Sequence, residues 1–223
     1  SGVPIAAPSA NLSGHPSPTC AEHVLDDLNG RIDLVLDGGP TDVGLESTII
    51  SLAGERPLLL RPGGVTKEEI EKALGAEVEV HRAVLSVPKL SQEGEEGASV
   101  APCPGLFFKH YAPEAKVIMV TGRPEEQAGK IGEYLRSHRG ERVAVLGTEE
   151  NAPFYREWKP SLAYLEILGS RSDPWGIAGR FFGALRRCDE RRVDVILAET
   201  IPAAGIGLAV MNRLCRAAEN RAI

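Results

Sequence analysis

From Lys116 onward the sequence alternates short apolar runs with longer amphipathic stretches, and no other feature narrows the possible folds as far. The runs at 116–120, 143–147, 162–167 and 193–198 read as strands, and the stretches at 124–138, 174–187 and 206–219 read as helices. Pro124 and Pro174 stand where a first-turn proline is tolerated, Asp173 precedes the second as a cap, and Gly140 follows the first of these helices. Strands that alternate with helices call for a parallel sheet covered on both faces. Residues 115–223 therefore read as a small Rossmann-like α/β domain.

The stretch before it mixes short apolar runs with Pro- and Gly-rich loops. Pro4-Ile5-Ala6-Ala7-Pro8 suits an edge strand or extended loop, because proline has no N–H to give a ladder. Thr19 with Glu22 fits a capping box and Gly30 a stop, which predicts a helix over 20–29. Residues 32–36 read as a strand, ended by the turn Asp37-Gly38-Gly39-Pro40 that Asp37 and Asp42 shape. Further strands are expected at 47–52 and 57–60, around the turn at 53–56. Thr66 and Glu69 form a second capping box for a helix that reaches Leu74 and stops at Gly75, and 77–81 reads as one more strand. Residues 90–101 are acidic, small and aperiodic, the composition of a linker. The following segment carries Phe107, Phe108 and Tyr111, which a solvated linker has no reason to hold, so it is expected to dock. The expected organisation is a first α/β part over 1–89, a linker over 90–114 and an α/β domain over 115–223.

Composition excludes several classes. With 43% hydrophobic and 25% charged residues, the chain has the balance of a globular protein. No apolar run approaches the ~18 residues of a membrane-spanning helix. A net charge of -6 argues against a general nucleic-acid face, whose affinity comes from neutralising phosphates. The basic groups Arg186-Arg187 with Arg191-Arg192, and Arg213 with Arg216, are interleaved with acidic or apolar residues and read as solvated helix faces. Cys20, Cys103, Cys188 and Cys215 are widely spaced, and the histidines lack ligand spacing, so no metal site is expected. Without a leader or a dense disulfide pattern, the cytoplasm is the default compartment.

The Rossmann-like part lacks a recognisable site. Val120-Thr121-Gly122-Arg123-Pro124 is no dinucleotide fingerprint, there is no Walker A sequence, and Gly205-Ile206-Gly207 is as well explained by helix packing. An accessory or lid-anchoring role is expected of it. The first part is richer. In Pro8-Ser9-Ala10-Asn11 the Ser9 hydroxyl can meet a phosphate or cap a turn, and Ser17 can do the same or simply lead into Thr19. Gly44-Leu45-Glu46-Ser47-Thr48 places two hydroxyls at a strand start, suited to a small polar ligand or to cross-strand bonding. Arg61, between Leu58-Leu59-Leu60 and Pro62-Gly63-Gly64, offers a fork for phosphate or carboxylate. The alternative is an internal ion pair, but the glycines admit a ligand. No general acid, base or nucleophile stands out. Positioning and charge neutralisation remain, which is what phosphoryl and nucleotidyl transfer require.

Ala7-Pro8-Ser9-Ala10-Asn11-Leu12-Ser13-Gly14, Asp37-Gly38-Gly39-Pro40, Gly44-Leu45-Glu46-Ser47-Thr48-Ile49 and Leu60-Arg61-Pro62-Gly63 follow in the order and spacing of the YrdC-like family. Lys109-His110-Tyr111-Ala112-Pro113 resembles the linker of its long, two-domain form, and residues 205–214 resemble the close of that form's second domain. The resemblance implies the C-terminal part of a YrdC-like twisted-sheet domain, a linker and a Rossmann-like accessory domain. It implies a nucleotidyltransferase, threonylcarbamoyl-AMP synthase, which condenses L-threonine, bicarbonate and ATP into threonylcarbamoyl-adenylate and pyrophosphate. Mg²⁺ would accompany the ATP, and a downstream tRNA threonylcarbamoyltransferase would take the product. By the same resemblance Ser9, Ser17, Arg61, Tyr111 and Asn11 are ATP-binding positions, and Ala7, Ser47 and Thr48 are threonine-binding positions.

In that family the domain begins about a hundred residues earlier, with a lysine–arginine pair and further hydroxyl residues. The chain is therefore expected to lack the N-terminal half of the catalytic domain and to show no turnover alone. Two other readings stand beside this one. The first is a non-catalytic RNA-binding or ribosome-associated factor, which the acidic balance disfavours. The second is a YrdC-like module of a carbamoyltransferase.

Overall fold

The structure, a computed structural model, describes residues 2–85 and 112–223. It is an α/β fold with a small mixed sheet and a larger parallel one. In chain order the first part contains α1 (Ala21–Leu28), β1 (Ile49–Ser51), β2 (Leu58–Arg61), α2 (Lys67–Leu74) and β3 (Glu79–Val80). The hairpin β1–β2 is antiparallel, and β3 adds in parallel to the other edge of β2. The Thr66–Glu69 capping box forms as the sequence predicts: the Thr66 hydroxyl accepts from the Glu69 N–H while Glu69 reaches back to the Thr66 N–H. Gly75 closes α2 at φ +63°, in the left-handed region that glycine enters without penalty.

Two expectations for this part fail. Thr19 and Glu22 do not cap α1. The N-cap is Cys20, without a side-chain cap bond, and the Thr19 N–H donates instead to His23 Nδ1 at 3.1 Å. Residues 32–36 are not a strand: Leu34 is 72% and Leu36 85% exposed. An apolar run becomes a strand only through a ladder, and no neighbour among the described residues offers one.

The second part contains β4 (Lys116–Val120), α3 (Pro124–Ser137), β5 (Val143–Gly147), α4 (Ala152–Trp158), β6 (Tyr164–Ile167), α5 (Pro174–Glu190), β7 (Val195–Glu199) and α6 (Ile206–Ala218). Its strands are all parallel in the order β4-β7-β5-β6. Alternate side chains feed two apolar layers, as a doubly covered sheet requires. Val117, Ala144 and Ile196 face Phe181, Phe182 and Val210 of α5 and α6. Ile118, Val145 and Leu197 face Ile131 and Leu135 of α3 and Tyr155 of α4. Asp173 caps α5 by accepting from the Gly176 N–H at 3.0 Å. Only α4 lacks a counterpart in the sequence reading; it is a short helix of mixed pattern.

The two parts share their packing. Val43 and Leu45 pack onto the α5/α6 layer, and Leu208 of α6 lies in one cluster with Leu59, Val78 and Val84. Of the basic residues read as solvated faces, Arg191 and Arg192 are exposed, but three do the opposite: Arg213 and Arg216 are 0% exposed and Arg186 8%. Each reaches from the second part into the first. Arg186 forks onto both Asp27 oxygens at 3.1 and 2.7 Å and also binds the Pro16 carbonyl. Arg216 donates to the Ala83 carbonyl, beside the Asn212 bond to the Val84 carbonyl. A guanidinium presents several donors in one plane, so it can satisfy main-chain carbonyls where a helix meets irregular chain.

Candidate functional site

The candidate residues gather on three loops of the first part. The first loop, residues 7–17, leads into α1. Ala7 and Ser9 are exposed and lie outside any helix or strand. Asn11 is turned into its own loop, where Nδ2 donates to the Leu12 and His15 carbonyls at 2.8 and 3.2 Å. Asp27 fastens the same loop by accepting from the Leu12 N–H at 3.2 Å. Asn11 therefore shapes the loop that presents Ser9.

The second loop is residues 43–48. It runs over α5 and α6 of the second part, and two close approaches fix its course. Gly44 has φ +74°, and a Cβ there would lie 2.7 Å from Gly179 Cα on α5. A Cβ on Gly63 would overlap the Glu46 carbonyl oxygen. Glycine at both positions lets the 44–48 backbone sit directly against α5 on one side and the third loop on the other.

The third loop follows β2 and begins with Arg61. Its Nε donates to the Ser47 carbonyl at 3.0 Å and its Nη2 to the Ser47 hydroxyl at 3.2 Å. Among the described residues no carboxylate pairs with Arg61, so the internal ion pair weighed from the sequence is not formed there. The charge stays available at the surface, with one face of the guanidinium orienting Ser47.

Ser9, Ser17, Gly44 and Glu46 line a hollow of about 220 Å³. Ser47 and Thr48 line a second, of about 650 Å³, with the apolar side chains Val43, Leu45, Ile50 and Ile70. Val43 and Leu45 line both, so the 43–48 loop is the wall between them. Thr48 spends its hydroxyl proton on the Val65 carbonyl, which joins loop 43–48 to the start of α2. Ser17 is 8% exposed and its hydroxyl donates to Glu46 Oε1. Tyr111 lies outside the described residues.

Sequence reasoning missed Glu46. Its Oε1 accepts from Ser17 and its Oε2 from Arg213 Nε at 2.9 Å. The residue sits inside the motif that was singled out for its hydroxyls, and its partner is 167 positions away, which no local pattern reveals.

Some polar clusters lie elsewhere. At the carboxyl ends of the parallel strands, Glu199 is 5% exposed and accepts from Thr148 at 2.6 Å, Asn151 and Arg171 at 2.9 Å each, and Tyr155. Burial, with the Glu199 charge behind it, pushes the Tyr155 hydroxyl well above its ordinary range. A fully bonded network of this kind holds strand ends together and offers no open valence to a ligand. No group of three or more His, Cys, Asp or Glu that could hold a metal occurs among the described residues. No helix there is long and apolar enough to cross a membrane.

A half-buried arginine beside a strand-end serine, near a hollow lined by further hydroxyls, is an arrangement suited to small anionic or zwitterionic ligands. The comparisons with known proteins make this specific. Residues 65–219 match the family model described as threonylcarbamoyl-AMP synthase, C-terminal domain, and residues 1–63 match one described as telomere recombination. The chain is 48% identical to threonylcarbamoyl-AMP synthase of Bacillus subtilis and 43% identical to that of Pyrococcus abyssi, over 100% and 99% of its own length. It spans 59% of the length of each of these relatives. The crystal structure of P. abyssi Sua5 complexed with L-threonine superposes with a TM-score of 0.81 at 41% identity, over 97% of this chain and 58% of that one. The chain belongs to the threonylcarbamoyl-AMP synthase family.

Proposed function

We propose that the chain supplies part of the site of a threonylcarbamoyl-AMP synthase, in which L-threonine, bicarbonate and ATP give threonylcarbamoyl-adenylate, pyrophosphate and water. The observation that carries the reading is the Arg61–Ser47 pair, in which Arg61 grips the loop that separates two hollows, in a chain of this family. Ser47 and Thr48, with the Ala7 backbone, take L-threonine. Arg61, Ser9 and Ser17, with Asn11 shaping their loop and Tyr111 added from the linker, take ATP. In this assignment the 43–48 loop holds the amino acid on one side and the triphosphate on the other.

The chemistry asks for little beyond that placement. The threonine amine adds to carbon dioxide, released from bicarbonate with loss of water, and gives a carbamate. A carbamate oxygen attacks the α-phosphorus, and pyrophosphate leaves with the electron pair of the broken P–O bond. Two anions must be held together, and a guanidinium that carries no competing carboxylate lowers that repulsion. Mg²⁺ enters with ATP as part of the substrate. The described residues offer it no cage of their own, and no step here runs through it.

Turnover by these residues alone is not expected under this reading. Two observations support that: the 59% share of each relative's length, and the solvent exposure of Ile5 (75%), Leu34 and Leu36 in stretches with strand-like composition. The product is a labile mixed anhydride, which a downstream tRNA threonylcarbamoyltransferase would consume in the cytoplasm. The domain limits 1–89, 90–114 and 115–223 are retained as part of the proposal, with the second domain as an accessory unit. Burial of Arg186, Arg213 and Arg216 removes the main basic groups that an RNA-binding reading would use.

Isothermal titration of L-threonine into the full protein tests the assignment. Saturable binding that Ser47→Ala weakens at least about tenfold, the worth of one hydrogen bond to a charged group, supports it. Binding unchanged by S47A overturns the threonine site.

A further inference from the structure

We propose that Arg213, on α6 of the second part, is a positioning residue for the candidate nucleotide site and acts through Glu46. The inference rests on the functional reading above. Arg213 is wholly buried, and three of its hydrogen bonds end on the loops of the site. Its Nε donates to Glu46 Oε2 at 2.9 Å and its Nη2 to the Glu46 carbonyl at 3.4 Å. Its Nη1 donates to the Pro62 carbonyl at 2.6 Å and to Asn212 Oδ1 at 2.9 Å. One side chain thus joins the loop that carries Ser47 and Thr48 to the residue that follows Arg61. Through Glu46 it reaches the Ser17 hydroxyl as well.

Charge gives this contact a role beyond packing. Glu46 lines the same hollow as Ser9 and Ser17, where a triphosphate is proposed to lie. A bare carboxylate there would repel the ligand. Arg213 pairs with it from the buried side, so the hollow keeps an oriented acceptor for Ser17 without an uncompensated negative charge. The second part of the chain thereby sets both the geometry and the electrostatics of a site whose ligand residues, Tyr111 of the linker apart, lie in the first.

Two readouts on the same variants test this. Amide exchange over residues 46–48 reports loop order and needs no ligand, and titration with ATP reports the charge effect. In Arg213→Met the loop amides are expected to exchange at least about tenfold faster, while those of β7 keep their protection, and ATP affinity falls about tenfold or more. Arg213→Lys keeps the charge without the fork, and is expected to retain most of the ATP affinity while still loosening the loop. The double variant E46Q/R213M recovers most of the ATP affinity lost in R213M, because the unpaired carboxylate is gone.

A double variant no better than R213M overturns the electrostatic role. Unchanged loop exchange in folded R213M or R213K overturns the positioning role. Should wild type bind no ATP, the functional reading fails by itself, and the exchange data still decide whether Arg213 orders the loop.

Discussion

The Arg61 guanidinium spans the carbonyl and the hydroxyl of Ser47, 3.0 and 3.2 Å away, and so joins the residue assigned to ATP with the residue assigned to threonine. A planar fork makes this bridge, and an ammonium group does not reproduce it. Arg61→Lys should therefore weaken both ligands, by about tenfold each, whereas Arg61→Ala should cost ATP about a hundredfold. Parallel titrations of ATP and L-threonine measure it. An R61K protein that loses ATP affinity alone would show that the contact to Ser47 carries no weight.

The glycines at the loop crossings make a sharper prediction. Gly44→Ala places a Cβ against the Gly179 backbone and holds alanine at φ +74°. The loss of stability should exceed about 2 kcal/mol, combining left-handed strain with a clash that no rotamer change relieves. Gly75→Ala is the control. It has a similar φ of +63° but open space around the Cβ, and should cost only about 1 kcal/mol. Urea unfolding of the two variants separates strain from close approach.

Acid should loosen the junction between the two parts. Asp27 and Arg186 are 5% and 8% exposed and lie 2.7 Å apart. Burial pulls the Asp27 carboxyl up, but the Arg186 hydrogen bonds and charge, with the Leu12 N–H, pull it further down, so it lies below its ordinary value near 3.8. The unfolded chain then takes up the proton first as pH falls. The stabilisation is complete above about pH 4 and disappears as pH falls through the folded value. His23 acts in the same direction from about pH 6.5 downward, because burial, aided by Arg186, depresses its pKa. Arg186→Met strands a buried carboxylate and should cost about 3 kcal/mol at pH 7. Asp27 is then easier to protonate in the fold, so this variant should recover part of its deficit at pH 4. Stability profiles of wild type and R186M that run parallel from pH 7 to pH 4 would contradict the pairing.

The Glu199 network provides the opposite control. Glu199→Ala removes a carboxylate that Arg171, Thr148, Asn151 and Tyr155 all address, and should cost about 3 kcal/mol or more. It lies outside the candidate site, so threonine affinity in the folded fraction should match wild type. A matched loss of binding would mean that the strand ends communicate with the loops of the first part.

What the sequence made legible follows its periodicity. The strands at 116–120 and 143–147 and the α2 capping box depend on local pattern, and they stand where that pattern puts them. Residues 32–36 have the composition of a strand without a pairing partner among the described residues, and pairing is not a local property. The arginines at 186, 213 and 216 were misread for the same reason. A helix face rich in charge is normally solvated, and the acceptors that bury these side chains, Asp27, Glu46 and the Ala83 carbonyl, are more than a hundred residues away. Ser47 and Arg61 could be found because a hydroxyl at a strand start and a cation before paired glycines are local signals. Glu46 carried none.

The most direct test of the central claim is pyrophosphate release from ATP by the full protein, with and without L-threonine and bicarbonate. Release that requires all three substrates, and that in Ser47→Ala demands at least about tenfold more threonine, is the predicted result. ATP turnover indifferent to threonine, or a folded full protein that releases no pyrophosphate at all, would contradict it.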